Sequence, residues 1–234
     1  MSGPRRSWHR RWKDGWIGAP DSPARRRSAA IDSLVFDHGA LRRVWANMHR
    51  IDDGVWRSNQ PDPARIRRLA ADGFRTILNL RGETEWGSYL LERAACADAG
   101  IALIDLKLTS RKPPFVEEIV ALNEVFANAE RKLLIHCKSG ADRAAFASAL
   151  YLILRRNASV ETALEQLSWR RLHVAGAQTG IMAFMLRRYA AETANAPMPF
   201  LDWVKTRYDR DALRAEYASG AKADFLVDKV LRRE

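Results

Sequence analysis

Cysteine is scarce in this chain: Cys96 and Cys137 are the only two among 234 residues. Two thiols supply no disulfide framework and no cluster that could hold zinc. Long hydrophobic runs are missing as well, and nothing approaches the ~20 consecutive apolar residues of a membrane-spanning helix. The N-terminus has no apolar secretory core. Its Arg- and Ser-rich start resembles a mitochondrial leader in composition only, because Gly and Pro break the amphipathic helix such a leader needs. Acid is short too, with 28 Asp and Glu against 39 Lys and Arg and a formal charge of +11. These shortages exclude a disulfide-stapled module, a structural zinc module and an integral helical membrane protein.

What is present suits a soluble globular domain with appendages: 47% hydrophobic and 29% charged residues over a length that can bury a sizeable core. The basic excess is unevenly spread. Residues 1–30 carry eight basic side chains (Arg5, Arg6, Arg10, Arg11, Lys13, Arg25, Arg26 and Arg27) against Asp14 and Asp21. Trp8, Trp12 and Trp16 recur every four residues among them. Interleaved indoles and guanidinium groups suit a lipid headgroup region. Nucleic acid is a weaker expectation, and a solubilising arm whose tryptophans pack locally on the domain is the plain alternative.

The pattern along the chain predicts a basic arm over residues 1–30, flexible or peripherally packed and broken by Gly15, Gly18, Pro20 and Pro23. A main domain over 31–195 and a helical C-terminal cap over 196–234 follow. The lead-in from Ile31 to Arg50, with apolar Leu34, Leu41, Val44, Trp45 and Met48, is expected to be partly helical. Strands are expected at Met48–Ile51, Val55–Arg57, Arg75–Leu80, Ile101–Leu106 and Lys132–His136. Helices are expected at Pro63–Ala71, Glu85–Ala99, Phe115–Ala129, Ala144–Leu154, Val160–Leu167, Ile181–Glu192 and Pro199–Leu231. Asp62 caps the first of these and Gly73 stops it. Alternating strands and helices imply an α/β fold, a central mostly parallel sheet flanked by helices, with a helical C-terminal extension. Phe200, Trp203, Tyr208, Phe225 and Leu226 are the expected anchors of that extension.

The most telling stretch runs from Leu133 to Arg143, Leu-Leu-Ile-His-Cys-Lys-Ser-Gly-Ala-Asp-Arg, and continues into the apolar run Ala144–Leu150. A short buried strand ends in His136 and Cys137, five loop residues follow, and Arg143 opens a small-residue helix. Such a loop turns successive backbone N–H groups into one concavity, where the helix dipole adds positive potential. A thiol in a cup of this kind ionises readily, and a guanidinium beside it can hold two phosphate oxygens. Cysteine chemistry of that sort requires a reduced thiol and points to the cytosol, peripheral at the membrane surface if the basic arm makes contact there. The rival readings are an inert buried cysteine at a strand end and a rhodanese-type sulfur-transfer loop.

This Cys-x5-Arg segment, His136 to Arg143, resembles the signature of the protein-tyrosine and dual-specificity phosphatase superfamily. The resemblance extends to Val55–Pro61 and Gly73–Arg81, and the whole looks like the compact dual-specificity-like enzymes common in bacteria. It implies a phosphomonoester hydrolase without a cofactor or metal, in which Cys137 is the nucleophile and Arg143 grips the transferring phosphoryl group. His136, Lys138, Ser139, Gly140 and Ala141 then line the phosphate, with His136 orienting the loop and Gly140 allowing its curvature. Arg81, Arg111 and Lys112 are candidates for a basic rim, and Arg170, Arg171 and His173 for a further cluster at the mouth.

Two features depart from the superfamily pattern. The loop before the Phe115 helix, Leu108 to Pro114, has no acid where many members carry their proton donor, so Asp142 and then Asp105 are the candidates. Asp142, directly before Arg143, is placed as in myotubularin-like and Sac-type lipid phosphatases, while Glu117 and Glu118 read as helix N-terminal stabilisers. Ala144 stands where relatives usually have Ser or Thr, which leaves Ser139 as a substitute hydroxyl and a weakly catalytic phosphate- or anionic-surface-binding module as the alternative function. Lys138 resembles the lysine of lipid-directed relatives, so phosphorylated protein and phosphorylated anionic phospholipid are both candidate substrates. Cys96 is expected to be a packing residue, with a redox partnership to Cys137 as its alternative.

Overall fold

The computed structural model describes residues 7–18, 20–109, 111–168 and 180–219. Five strands form one sheet: β1 (His49–Arg50), β2 (Val55–Asn59), β3 (Thr76–Asn79), β4 (Ala102–Asp105) and β5 (Leu133–Cys137). Their order is β1-β2-β5-β3-β4, parallel except for the antiparallel edge strand β1. β5 is therefore central, and every one of its residues is buried, as a parallel strand covered on both faces requires. The chain leaves β2 for β3 and returns later to fill the place between them. That crossover makes the carboxyl end of β5, where Cys137 lies, the switch point of the sheet.

Alternation along β5 sends its side chains to two different cores. Leu134 packs with Ile66, Leu69, Ile77 and Cys96 beneath α4 (Pro63–Ala71) and α5 (Gly87–Ala99). Leu133, Ile135 and Cys137 face the larger core of α6 (Val116–Asn128) and α7 (Arg143–Arg156). α7 is the most buried helix, and its alanines allow it to lie close against the sheet. Asp62 caps α4 through a 2.8 Å bond from the Arg65 N–H, and Gly73 follows it in the left-handed region at φ 86°. Glu118 caps α6 by accepting from the Phe115 N–H at 2.7 Å. The spacing of Phe115, Ile119, Leu122, Val125 and Phe126 predicts one shared apolar face, but Phe115 does not join the others in the core. It is 50% exposed and takes the Arg210 guanidinium on its ring at 4.0 Å.

The expected helix Val160–Leu167 is α8 (Val160–Leu164) with a 3-10 turn, Glu165–Leu167, and α9 is Ile181–Thr193. The expected helix Pro199–Leu231 is interrupted. α10 (Phe200–Thr206) ends, and a new helix covers 210–219, where Asp209 accepts from the Asp211 and Ala212 N–H groups and so starts a fresh turn. Phe200 and Trp203 are buried anchors, and Tyr208 donates to the Pro114 carbonyl at 2.8 Å. Phe225 and Leu226 lie outside the described residues.

Much of the basic arm is ordered helix. α1 (Trp8–Asp14) and α2 (Pro23–Ile31) pack against α5, with Trp16 and Ala29 buried beside Tyr89 and Leu90. A π-helical turn, Asp32–Phe36, and α3 (Gly39–Val44) then lead to the sheet. The lead-in is partly helical, as its pattern predicts, yet Val44 and Trp45 are 90% and 57% exposed. Among the described residues, no helix is long and apolar enough to cross a membrane.

Candidate active site

Cys137 ends β5 almost completely buried and unpaired with any other cysteine. The loop Lys138–Asp142 follows, and Arg143 is the first residue of α7. The first-turn amides of a helix have no acceptor within it, so this junction aims donors and the positive end of the helix dipole at the strand end that carries the thiol. Gly140 makes the turn at φ 77°, where a Cβ would sit 2.8 Å from the Asn59 nitrogen and the Ser58 carbonyl carbon. No other residue type fits there. The Ser139 hydroxyl accepts from the Ala141 N–H at 3.4 Å, inside the loop, and Arg143 rests a half-buried guanidinium on the Leu80 carbonyl at 3.3 Å. Asn47 holds the loop from outside by donating to the Ser139 carbonyl at 3.0 Å.

A polar ring closes around the backbone on either side of Cys137. His136 Nε2 lies 2.8 Å from Glu92 Oε1, and both side chains are fully buried. The other Glu92 oxygen accepts from Gln60 at 2.6 Å, and Gln60 in turn accepts from Arg81. Arg81 holds both oxygens of Asp37, at 2.7 and 3.1 Å, and Asp37 reaches Lys138 Nζ at 3.0 Å. His136 and Lys138, the two neighbours of Cys137, are thus the two ends of one network. Ser88 and Arg42 also donate to Asp37, at 2.6 and 3.0 Å. Burial alone opposes ionisation of Asp37. The hydrogen bonds from Arg81 and Ser88 and the charges of Arg81 and Arg42 outweigh it, and hold this carboxyl well below the usual carboxylate range.

The expected site residues thus fall into two groups. His136, Lys138, Ser139, Gly140, Ala141, Asp142 and Arg143 are gathered with Cys137 in one loop. Asp105 and Arg81 are not part of it. Asp105 accepts from Asn79 and from the Tyr89 hydroxyl, each at 2.7 Å, on the α5 side of the sheet, whereas Cys137 belongs to the α7 side. Burial and this carboxylate keep the Tyr89 phenol protonated well beyond its usual range. Arg81, expected at a basic rim, is a buried bracket; its charge is spent on Asp37. Arg170, Arg171 and His173 lie outside the described residues. Cys96 is 1% exposed and packs with Ile66 and Leu134 on the face of the sheet opposite Cys137, as a packing residue should.

Sequence reasoning missed Asp37, Gln60, Ser88 and Glu92. The last two carried a signal. Ser88, Glu92 and Cys96 fall at i, i+4 and i+8 on the inward face of α5, and a carboxylate on such a face needs a buried partner. Asp37 carried none, because apart from nearby Arg42 its partners, Arg81, Ser88 and Lys138, lie far along the chain.

The profile of a family described as DSP-PTPase phosphatase fused to NAD+ kinase matches residues 45–182, more than half of the chain and the whole of the loop just described. The chain belongs to this family. It is a phosphatase of the dual-specificity type. Solved structures share the fold. The phosphatase Tk-PTP in its active form is 21% identical with a TM-score of 0.50, covering 63% of this chain and 98% of that one. Its G95A mutant form is 22% identical at the same TM-score, covering 64% and 97%. A putative DUF442 phosphatase from Shewanella putrefaciens CN-32 is 15% identical with a TM-score of 0.51, covering 65% and 94%. No curated protein sequence matches the chain.

Proposed function

We propose that this phosphatase hydrolyses phosphomonoesters through a phosphocysteine at Cys137. The observation that carries the reading is the Cys137–Arg143 junction: a buried thiol at the end of the central strand, a left-handed Gly140 with no room for a side chain, and an arginine opening the buried helix. The Cys137 sulfur attacks phosphorus, and the P–O ester bond breaks with its electron pair on the leaving oxygen. That oxygen takes the proton of the Asp142 carboxyl. Water then attacks phosphorus, gives its proton back to Asp142, and the P–S bond breaks to restore the thiolate and free inorganic phosphate. Arg143 and the loop amides hold the equatorial oxygens as charge builds on them. With that charge met by protein groups, the reading needs no metal. The Ser139 hydroxyl stands in for the one that Ala144 lacks.

Asp142 is the acid of choice over Asp105, since it lies in the loop while both oxygens of Asp105 are engaged by Asn79 and Tyr89. Asp142→Asn is therefore expected to lower kcat/KM on alkyl phosphates, which have poor leaving groups, by about 10²–10⁴-fold. Asp105→Asn should act chiefly on Tm. Steady-state kinetics beside thermal melts check this, and the reverse pattern assigns the proton to Asp105.

Phosphorylated protein and phosphorylated anionic lipid both present the group this site takes. An exposed apolar patch favours the lipid. Trp8 and Val35 are 65% and 62% exposed, Ile31 is exposed on the same stretch, and Trp8 lies 6.3 Å from Phe36. Arg10 and Arg11 follow Trp8 on α1. Exposed aromatic and aliphatic groups beside an arginine-bearing helix match an anionic headgroup surface, which fits peripheral membrane contact from a reducing, cytoplasmic compartment. Phosphate release from a phosphotyrosine peptide, a phosphoserine peptide and vesicles of phosphorylated anionic lipid, without added metal, tests the whole reading. Fastest release from the vesicles is expected. Fastest release from a peptide would make the substrate a phosphoprotein, and vesicle binding with no release anywhere would leave a phosphate- and surface-binding module.

A further inference from the structure

The phosphate loop is braced by a residue that the family match does not include. The matched region begins at residue 45, and Asp37 precedes it, between the π-helical turn and α3. Asp37 is fully buried, yet four side chains from four different places converge on it: Arg42 from α3, Arg81 after β3, Ser88 from α5 and Lys138 from the loop itself. Two of these partners, Arg81 and Ser88, hold the carboxylate rigidly among buried donors. Lys138 differs from them because its side chain keeps 39% of its surface exposed while its ammonium is tethered at 3.0 Å. An ammonium has three donors, and one acceptor at Asp37 leaves the others available at the edge of the loop. A lysine stem is otherwise free to sample many rotamers, so a fixed acceptor at its tip removes that freedom before any anion arrives.

We propose that Asp37, supplied by the segment N-terminal to the family match, is a positioning residue. It tethers Lys138 so that the ammonium is preorganised at the rim of the loop for an incoming phosphate. The inference rests on the reading of the loop as a phosphate cradle. It also gives the ordered N-terminal helices a role at the site, since the turn that carries Asp37 is held in place by its connection to α2 and α3.

Protection of Cys137 from iodoacetamide by inorganic phosphate, followed by intact mass on the full chain, reports the cradle without any need for turnover. The wild type, Asp37→Asn, Lys138→Met and the double variant form a cycle. Each single substitution is expected to raise the phosphate concentration for half-protection by about three- to tenfold, and the double variant to be no worse than the weaker single. A tethered lysine has this signature: once the tether is gone, removing the lysine costs nothing more. Effects that multiply in the double variant overturn the proposal, as does Asp37→Asn protected like the wild type. Ser88→Ala, which removes one donor to Asp37 without changing charge, serves if Asp37→Asn does not fold. It should weaken protection about twofold in the wild-type background and not at all beside Lys138→Met; an equal effect in both backgrounds overturns the tether. A wild type that phosphate fails to protect overturns the cradle reading and this inference with it. Protection of the wild type with no dependence on Asp37 or Ser88 overturns the inference alone.

Discussion

Cys137→Ser is expected to reduce phosphate release by about 10⁴-fold or more on every substrate the wild type accepts, with little change in Tm. On the phosphocysteine reading, the physical reason lies in the nucleophile. Sulfur is intrinsically far more nucleophilic than a serine hydroxyl, which holds its proton near neutral pH. The two side chains are close in size, so the buried position at the end of β5 refills without a cavity. Labelling with iodoacetamide gives the same variant a second readout. Burial and the nearby Glu92 and Asp105 carboxylates push the Cys96 thiol up to about 12, far from the reactive thiolate form. Native wild type should take up one label and native Cys137→Ser none, counted by intact mass. Turnover by the serine variant within tenfold of wild type would move the chemistry away from this loop, and a label on Cys96 in the folded protein would contradict its packing.

Gly140→Ala carries the second large effect, and it acts on both stability and activity. At φ 77° an alanine is strained, and its Cβ would lie within 2.8–2.9 Å of backbone atoms of Ser58 and Asn59. These atoms belong to β2, which is paired with β5 through Ser58↔His136 and Asn59↔Cys137, so they cannot yield without disturbing the central ladder. Strain and overpacking together are expected to cost roughly 2–4 kcal/mol. The corresponding drop in Tm is about 5–15 °C for a chain of this size. The described residues hold three hydrophobic clusters, and the fold should survive the change. The loop would have to open, however, which displaces the amides from the phosphate oxygens. A fall in kcat/KM of about 10²-fold or more, measured on protein whose circular dichroism remains native, is the expected result. Wild-type activity in Gly140→Ala would mean that the left-handed turn is not needed for phosphate binding.

The strand, loop and helix that carry the candidate site were legible because their determinants are local. Strand, loop and helix from Leu133 to Arg156 follow from an apolar run, one glycine and a small-residue helix, and the structure has each of them in place. The sheet was legible for the same reason, since a run such as Leu-Leu-Ile buried on both faces demands helices on either side. The readings that failed concern what a polar residue does once folded. Arg81 looked like a rim cation because a charged side chain after a strand is normally solvated. It is buried because a carboxylate 44 residues away comes to meet it. The helix expected from Pro199 onward looked continuous because its periodicity is continuous, and Asp209 broke it by capping a new start. Phe115 fits the inward stripe of α6 by spacing, yet it caps the helix facing outward, where Arg210 covers it.

From the sequence alone came the family resemblance, the alternation of strands and helices, and the placing of cysteine, glycine and arginine at one junction. All of these depend on neighbours within a few residues, where periodicity, turn chemistry and capping act. The tertiary structure alone decided which charges are spent inside and which remain for a ligand. The contacts Arg81–Asp37 and Gln60–Glu92, spanning 44 and 32 residues, have no local trace. A buried ion is tolerated only where the fold brings a partner to it, and the partner is chosen by which elements the crossovers make adjacent.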